Sequence, residues 1–334
     1  MSILQKKGID LSFRTYFVTA LSYMALGLFS SLIIGLIIRT LGEQLGNDTL
    51  YDMGSLAMSM MGPAIGVAVA YALKAPPLVL FAAVVTGIAG ADVGGPAGAY
   101  IATIVSTEIG KLISKSTRID IILTPLVTIA VGYFAAIYVG QGIGQLLVQF
   151  GHIINWSVEQ HPFIMGILVA TLMGIALTAP ISSAALGFML GLDGLAAGAA
   201  TIGCAAQMIG FATSSYRENG VGGLVAQGIG TSMLQISNIV KNPLILIPPT
   251  LAGALIAPIG TVIWEMKNVD AGSGMGTSGF VGQIFTFTTM GFTVDVFYKV
   301  ALLHFIAPAL LSLMLSEYMR MKGWIKLGDM KIES

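Results

Sequence analysis

Charge is what this chain has least of. Among 334 residues there are 16 Lys and Arg and 16 Asp and Glu, so only 10% are charged and the formal net charge is zero. A soluble globular protein carries about 25% charged residues. With 55% hydrophobic residues, that class is excluded and the chain reads as an all-α polytopic membrane protein. The balanced charge argues against a nucleic-acid partner. A single cysteine, Cys204, excludes an intrachain disulfide and a cysteine metal cluster. There is no P-loop, no dinucleotide glycine fingerprint and no HExxH pattern. No catalytic residue, metal or cofactor is therefore expected. The N-terminus lacks a small-residue cleavage site after its first apolar run, so that run reads as a retained span.

What the chain does have is apolar sequence in lengths suited to a bilayer, with lipid as its surroundings. Residues 16–38, 56–73, 77–90, a stretch ending near Ile113, 120–139 and 163–177 read as six spans. GADVGGPAG interrupts the third and fourth, and residues 39–55 and 152–162 read as loops. The basic clusters Lys6/Lys7/Arg14, Lys74 and Lys111/Lys115/Arg118 are separated by two spans each. By the positive-inside rule that predicts a cytoplasmic N-terminus, and the basic C-terminal tail is expected on the same side. An even number of crossings follows, about ten on length grounds. Regularity fails after Thr178. We therefore expect an N-terminal helical half (14–155), a substrate-handling half (156–318) and a cytoplasmic tail (319–334). GxxxG occurs at Gly62/Gly66 and Gly187/Gly191, a weak signal among 42 glycines.

The stretch 227–264 stands out. Thr231, Gln235, Asn238 and Asn242 recur at spacings of four, three and four, which predicts one face of a helix. Asn242-Pro243, Pro248-Pro249 and Pro258 then predict a broken apolar segment. Broken backbone at membrane depth is tolerated only where it is buried in protein or lines a wet cavity, so the stretch reads as the wall of a transporter's binding site. Ser232 and Gln207 join the candidate solute ligands, with Thr178, Ser182 and Ser183 around Pro180. Amides and hydroxyls together supply donors and acceptors for a sugar or polyol. The same groups also bond helix to helix in membranes, and the sequence leaves both roles open. On the first role, Gln235→Leu or Asn238→Leu lowers solute binding and leaves stability nearly intact. Asp92, Glu108 and His304 are candidate charge or proton partners. Glu108 is also one turn from Lys111, as in a helix-end ion pair.

Two stretches resemble a known family. KSTRIDIILTPLVTIAVGYFAAIYVGQGIG (115–144) is similar to the segment of phosphotransferase-system sugar permeases, the IIC subunits, in which a basic loop leads into a Thr-Pro-Leu helix. KNPLILIPPTLAGALIAPIG (241–260) resembles their Asn-Pro segment, and the order agrees from about residue 15 to 315. The nearest branch looks to be stand-alone IIC-like proteins, some labelled toxin-regulator-like. The resemblance implies a multi-pass protein of the bacterial inner membrane. It also implies a homodimer, two re-entrant hairpins that hold a sugar, and an elevator-type movement. Separate IIB and IIA proteins would phosphorylate the solute. One departure stands out. Glucose- and lactose-type permeases place an acid before proline in the hairpin. Counting back from Asn242-Pro243, that place falls near Thr231, and TAPISS has Ala179 before its proline. This motivates a same-fold transporter independent of phosphorylation as a second reading. A membrane solute sensor is the third.

Overall fold

The computed structural model describes residues 7–332. It is 82% helical, with no strand among the described residues. Among the described residues six helices are long and apolar enough to cross a membrane, and one bent pair makes up to seven. This is an integral, polytopic helical membrane protein. The chain separates into two compact units, Met1–Val148 and Gln149–Ser334. The boundary falls inside one continuous helix.

In the first unit, α1 (Thr15–Leu45) runs past the predicted end of its span. It stops at Gly46, which takes the left-handed conformation (φ 62°) that ends helices cheaply only for glycine. Asn47 then caps α2 (Asp48–Ser59), its side chain accepting from Leu50 N at 3.0 Å. The predicted loop at 39–55 is thus a two-residue connection. A 46° bend separates α2 from α3 (Met61–Ala72). Pro63 explains it, because its ring would clash with the carbonyl of Ser59, the last residue of α2.

Gly62 and Gly66 of α3 pack on the backbones of Gly87 and Ala83. That GxxxG pair is therefore a packing face, whereas Gly191 has φ +56° and open space around it and serves a turn. Helix α4 (Pro77–Ile113) is interrupted at Gly94 and Gly95, the latter at φ 58° and ψ −146°. The backbones of Gly90 and Gly98 meet, and Ser106 donates to Thr86 at 3.2 Å. Residues 77–93 and 96–113 therefore fold back on each other as a helical hairpin at the predicted GADVGGPAG break.

Helix α5 (Asp120–Val158) continues through the predicted amphipathic stretch, where glycines but no proline occur. Only residues 159–161 remain of the loop expected at 152–162. Basic side chains gather at one end of the first unit. Lys7 Nζ donates to Ser114 O (2.6 Å) and Ser116 Oγ (2.8 Å). Lys74 and Lys111 line one cavity of about 480 Å³ with Gly8, Ile9 and Asp10. Lys6 lies outside the described residues. In that cavity the hydroxyls of Thr15 and Ser12, donating to Asp10, hold its carboxyl below the usual 3.8.

The second unit is built around one helix. After α6 (Pro162–Thr178) and the short α7 (Ser183–Met189) comes α8 (Gly194–Ser214), which is 89% buried, against 22–56% for the other candidate spans. Its sequence, GLAAGAATIGCAAQMIGFATS, explains the position, since small side chains let neighbouring backbones approach without stripping polar groups from lipid. Gly203 lies against the backbone of Ala170 in α6, and Gly210 against Pro249.

Beyond α9 (Tyr216–Val225) the backbone is irregular through residue 235, and α10 (Ile236–Lys241) is short. Helix α11 (Pro243–Ile263) is one run, contrary to the break expected from its prolines. Its first turn is a 3-10 helix, and Pro248 and Pro249 stand in the first turn of the α-helical part, where missing N–H groups cost little. A loop leads to α12 (Val281–Met290) and the last helix, α13 (Val294–Met321).

The Gly203 contact gives a test of this core. Gly203→Val forces a side chain into the Ala170 backbone and should cost about 1–3 kcal/mol or more. It would appear as a lower melting temperature in detergent. Gly222→Ala, where a Cβ meets nothing within 4 Å, should leave it unchanged.

Candidate functional site

Helix α6 ends at Thr178, and Ala179 is already extended (φ −72°, ψ 161°). On the far side of α8 the chain breaks again at Thr231 (φ −159°, ψ 141°), whose hydroxyl caps the 3-10 turn Ser232–Gln235 by accepting from Met233 N at 3.1 Å. The two breaks meet on Gln207. Thr178 Oγ1 lies 2.7 Å from Ser232 Oγ and donates to Gln207 Oε1 at 3.3 Å. Gln207 Nε2 donates to Thr250 Oγ1 of α11 at 2.7 Å. Thr178, Gln207 and Ser232 are at most 1% exposed. Both threonine hydroxyls also face their own helices, Thr178 to Gly174 O and Thr250 to Leu246 O.

The other predicted residues fall elsewhere. Ser183 donates to Gly274 O at 2.6 Å, tying α7 to the loop after α11. Ser182 supplies the carbonyl that starts α7, accepting from Leu186 N. Thr231, Gln235, Asn238 and Asn242 do not share one helix, because the backbone is extended at 231 and 242 and helical between. Three of them nevertheless face one partner, the segment after α13. Gln235 Nε2 donates to Met330 O (2.9 Å), Asn238 Nδ2 to Lys331 O (2.9 Å), and Asn242 Nδ2 to Trp324 O (3.0 Å) and Asp329 Oδ2 (2.8 Å).

The charged candidates separate too. Glu108 pairs with Lys111 at 3.1 Å, and Asp92 is exposed. His304, 1% exposed, sits in a π-helical turn of α13 with Nδ1 3.1 Å from Gln283 Nε2. Among the described residues, His304 Nε2 and Gln283 Oε1 have no hydrogen-bond partner. No group of three or more His, Cys, Asp or Glu suited to a metal occurs among the described residues.

A membrane helix bundle with two chain breaks meeting on a buried amide is the context in which the comparison with known proteins becomes informative. The family model described as phosphotransferase system, EIIC, matches residues 18–332. The chain belongs to that family. No curated protein and no solved structure matches it. As an EIIC chain it is a membrane permease subunit of a transport system.

Four residues of this EIIC chain that matter to the geometry escaped the sequence reading. Gln227 lies four residues before Thr231, one more step of the same period, and accepts from Gln235 Nε2 at 2.8 Å. Thr250 was masked by the prolines beside it. Glu218 and Asn219 sit in the hydrophilic SYRENG run, which looks like a solvated turn. Instead the side chain of Glu218 is 2% exposed and ion-paired to Arg320 at 3.0 Å.

These contacts change what Gln235→Leu should do. The substitution removes the donor to buried Gln227 Oε1 and one donor to Met330 O. A stranded buried acceptor costs about 1–3 kcal/mol, so a lower melting temperature is expected where the sequence pattern alone expected nearly none. Differential scanning fluorimetry of the purified variant checks it.

Proposed function

We propose that this EIIC chain binds a sugar or a related hydroxyl-rich solute where Thr178, Gln207, Ser232 and Thr250 meet, and carries it across the bacterial inner membrane. The supporting observation is the junction itself. Two helix breaks bring hydroxyls to within hydrogen-bond distance of each other on the amide of the most buried candidate span. Irregular backbone there marks a solute path. Hydroxyls and an amide that bond one another are also the groups a sugar's hydroxyls replace one for one.

The rest of the reading follows the family. The second unit moves as an elevator carrying the site, and the first unit is the scaffold of a homodimer. About ten crossings include two re-entrant hairpins, and α7 and α12 are short enough to be their arms. Both termini lie in the cytoplasm, in keeping with the basic side chains gathered at one end of the first unit. A separate IIB protein, charged by IIA, phosphorylates the arriving solute. His304, with its unpartnered Nε2, is a second polar point for solute or proton.

One observation favours the alternative, transport without phosphorylation: among the described residues no carboxylate bonds to the Thr178–Gln207–Ser232–Thr250 junction. Robust uptake into proteoliposomes that contain no phosphorylation partner would decide for it.

The site is tested through Gln207→Leu. Both threonines keep carbonyl partners in their own helices, so the fold should survive. A panel of sugars, sugar acids and polyols screened by thermal shift on the wild type identifies the stabilising solute. Its half-saturation should rise about tenfold in the variant, the loss of roughly one hydrogen bond's worth of affinity. An unchanged response would place the solute elsewhere.

A further inference from the structure

The segment 324–332, after the last helix, is held by contacts that make little use of its own side chains. Two overlapping turns consume part of its backbone, Asp329 N donating to Lys326 O (3.1 Å) and Lys331 N to Gly328 O (3.2 Å). The amides of 328, 330 and 332 are left over. Glu218 takes the first two, Oε1 accepting from Gly328 N and Oε2 from Met330 N, each at 3.0 Å. Asn219 Oδ1 accepts from Ile332 N at 2.9 Å, and its Nδ2 donates to Met330 O at 2.8 Å. These bonds tie the backbone of a largely exposed segment to the Glu218 and Asn219 side chains. Three side chains of the segment do anchor it: Asp329 Oδ2 accepts from Asn242 Nδ2 and Lys326 N, each at 2.8 Å, and Ile325 and Met330, 2% and 0% exposed, pack with Phe211, Ile245 and Met319.

The far side of this clamp is the solute site. The turn Ser232–Gln235 is four residues long. At one end Ser232 meets Thr178. At the other Gln235 holds Met330 O. A 3-10 turn rises about 2 Å per residue, so whatever fixes Gln235 fixes Ser232 within one turn.

We propose that residues 324–332 are a strap that positions the Ser232–Gln235 turn, with Glu218 as its anchor. This rests on the reading of Thr178, Gln207 and Ser232 as the solute site. Glu218 is a positioning residue, since it acts on the site only through the strap. Gln235, Asn238 and Asn242 hold the strap and so shape the site without touching the solute. Any movement of the turn across the membrane then carries the strap with it or releases it first.

Hydrogen–deuterium exchange on the full chain in detergent tests the strap. Glu218→Ala removes the anchor, and Met330→Glu puts a charge in the apolar pocket. In both, peptides covering 226–242 should exchange about tenfold faster, while α8 keeps its protection. The sugar that stabilises the wild type should need about ten times the concentration in both variants. Met173→Ala, which opens a cavity in a different apolar cluster, should lower the melting temperature without changing that concentration. If 324–332 becomes fully exchanging while 226–242 exchanges as in the wild type, the turn holds itself and the proposal is overturned. It is overturned equally if Met173→Ala weakens the sugar response as much as the strap variants do. A wild-type sugar response in Gln207→Leu with accelerated exchange in the strap variants would remove the site but keep the strap, so the two fail separately.

Discussion

The second unit depends on one constraint: a polar group buried at membrane depth has no water to turn to and must find its partner in the protein. Helix α8 meets that constraint at three levels. Thr201 Oγ1 accepts from Asn268 Nδ2 at 2.8 Å, Gln207 bonds Thr178 and Thr250, and Ser215, just past the helix end, accepts from Gln227 Nε2 at 2.8 Å. At 1.5 Å per residue the levels lie about 9 and 12 Å apart along the axis. Each level holds irregular backbone: the loop before α12, the paired breaks at 178 and 231, and the segment 226–230 that leads into the Ser232–Gln235 turn. The apolar, glycine-rich face of α8 sets how closely its neighbours approach, and the three polar side chains set which non-helical segments can dock there.

Amides and hydroxyls differ in how easily they can let go, and Thr201 and Thr286 have carbonyls of their own helices to fall back on as well. Asn268 Nδ2 reaches Thr201, Gly282 O and Thr286 at 2.8–3.1 Å, so releasing it strands a buried amide. Thr178 and Thr250 instead have the carbonyl four residues back in their own helices as a standing alternative. A hydroxyl with that fallback can give up its cross-helix partner and stay satisfied. On the proposed reading, a solute that takes up the Gln207 amide opens the middle level at little cost, while Asn268 stays bonded at the upper level. A carrier site needs both behaviours.

The sequence made the apolar architecture legible because lipid imposes a strong rule on it. The stretch read as a span at 163–177 is the helix α6 almost to the residue, though at 17 residues it falls short of the six candidate spans, and the GADVGGPAG break is the turn of a helical hairpin. Loops were overestimated where the reading relied on polarity. GEQLGND looked like a long connection, yet only Gly46 and Asn47 leave the helix, because helix ends are set by αL and capping geometry and not by charge. The prolines of 243–258 misled in the opposite direction, as a 3-10 first turn lets a helix begin beneath them. Among the candidate ligands, Thr178, Gln207 and Ser232 come together across 54 residues of sequence. Nothing in a linear pattern announces that meeting. The strap was invisible for a simpler reason: it bonds mostly through its own backbone groups, which every residue carries alike.

The 227–242 stretch holds no carboxylate, and its buried amides show why one among them would be costly. Asn238 Nδ2 donates to Gln235 Oε1, Gln235 Nε2 to Gln227 Oε1, and Gln227 Nε2 to Ser215 Oγ, each at 2.8 Å. The amides are connected head to tail, every one donating through nitrogen and accepting through oxygen, and such a chain polarises in one sense. A carboxylate in the middle would only accept. It would interrupt the relay and add an unpaired charge to a buried segment, a cost several times that of a neutral hydrogen bond. The carboxylates near this region stand at its edge: Asp329 accepts from Asn242 Nδ2 at 2.8 Å, and Glu218 meets Arg320 and two backbone amides. Neutral relay inside and anchored charge outside is the arrangement that lets the turn bearing Ser232 stay both buried and tied to the strap.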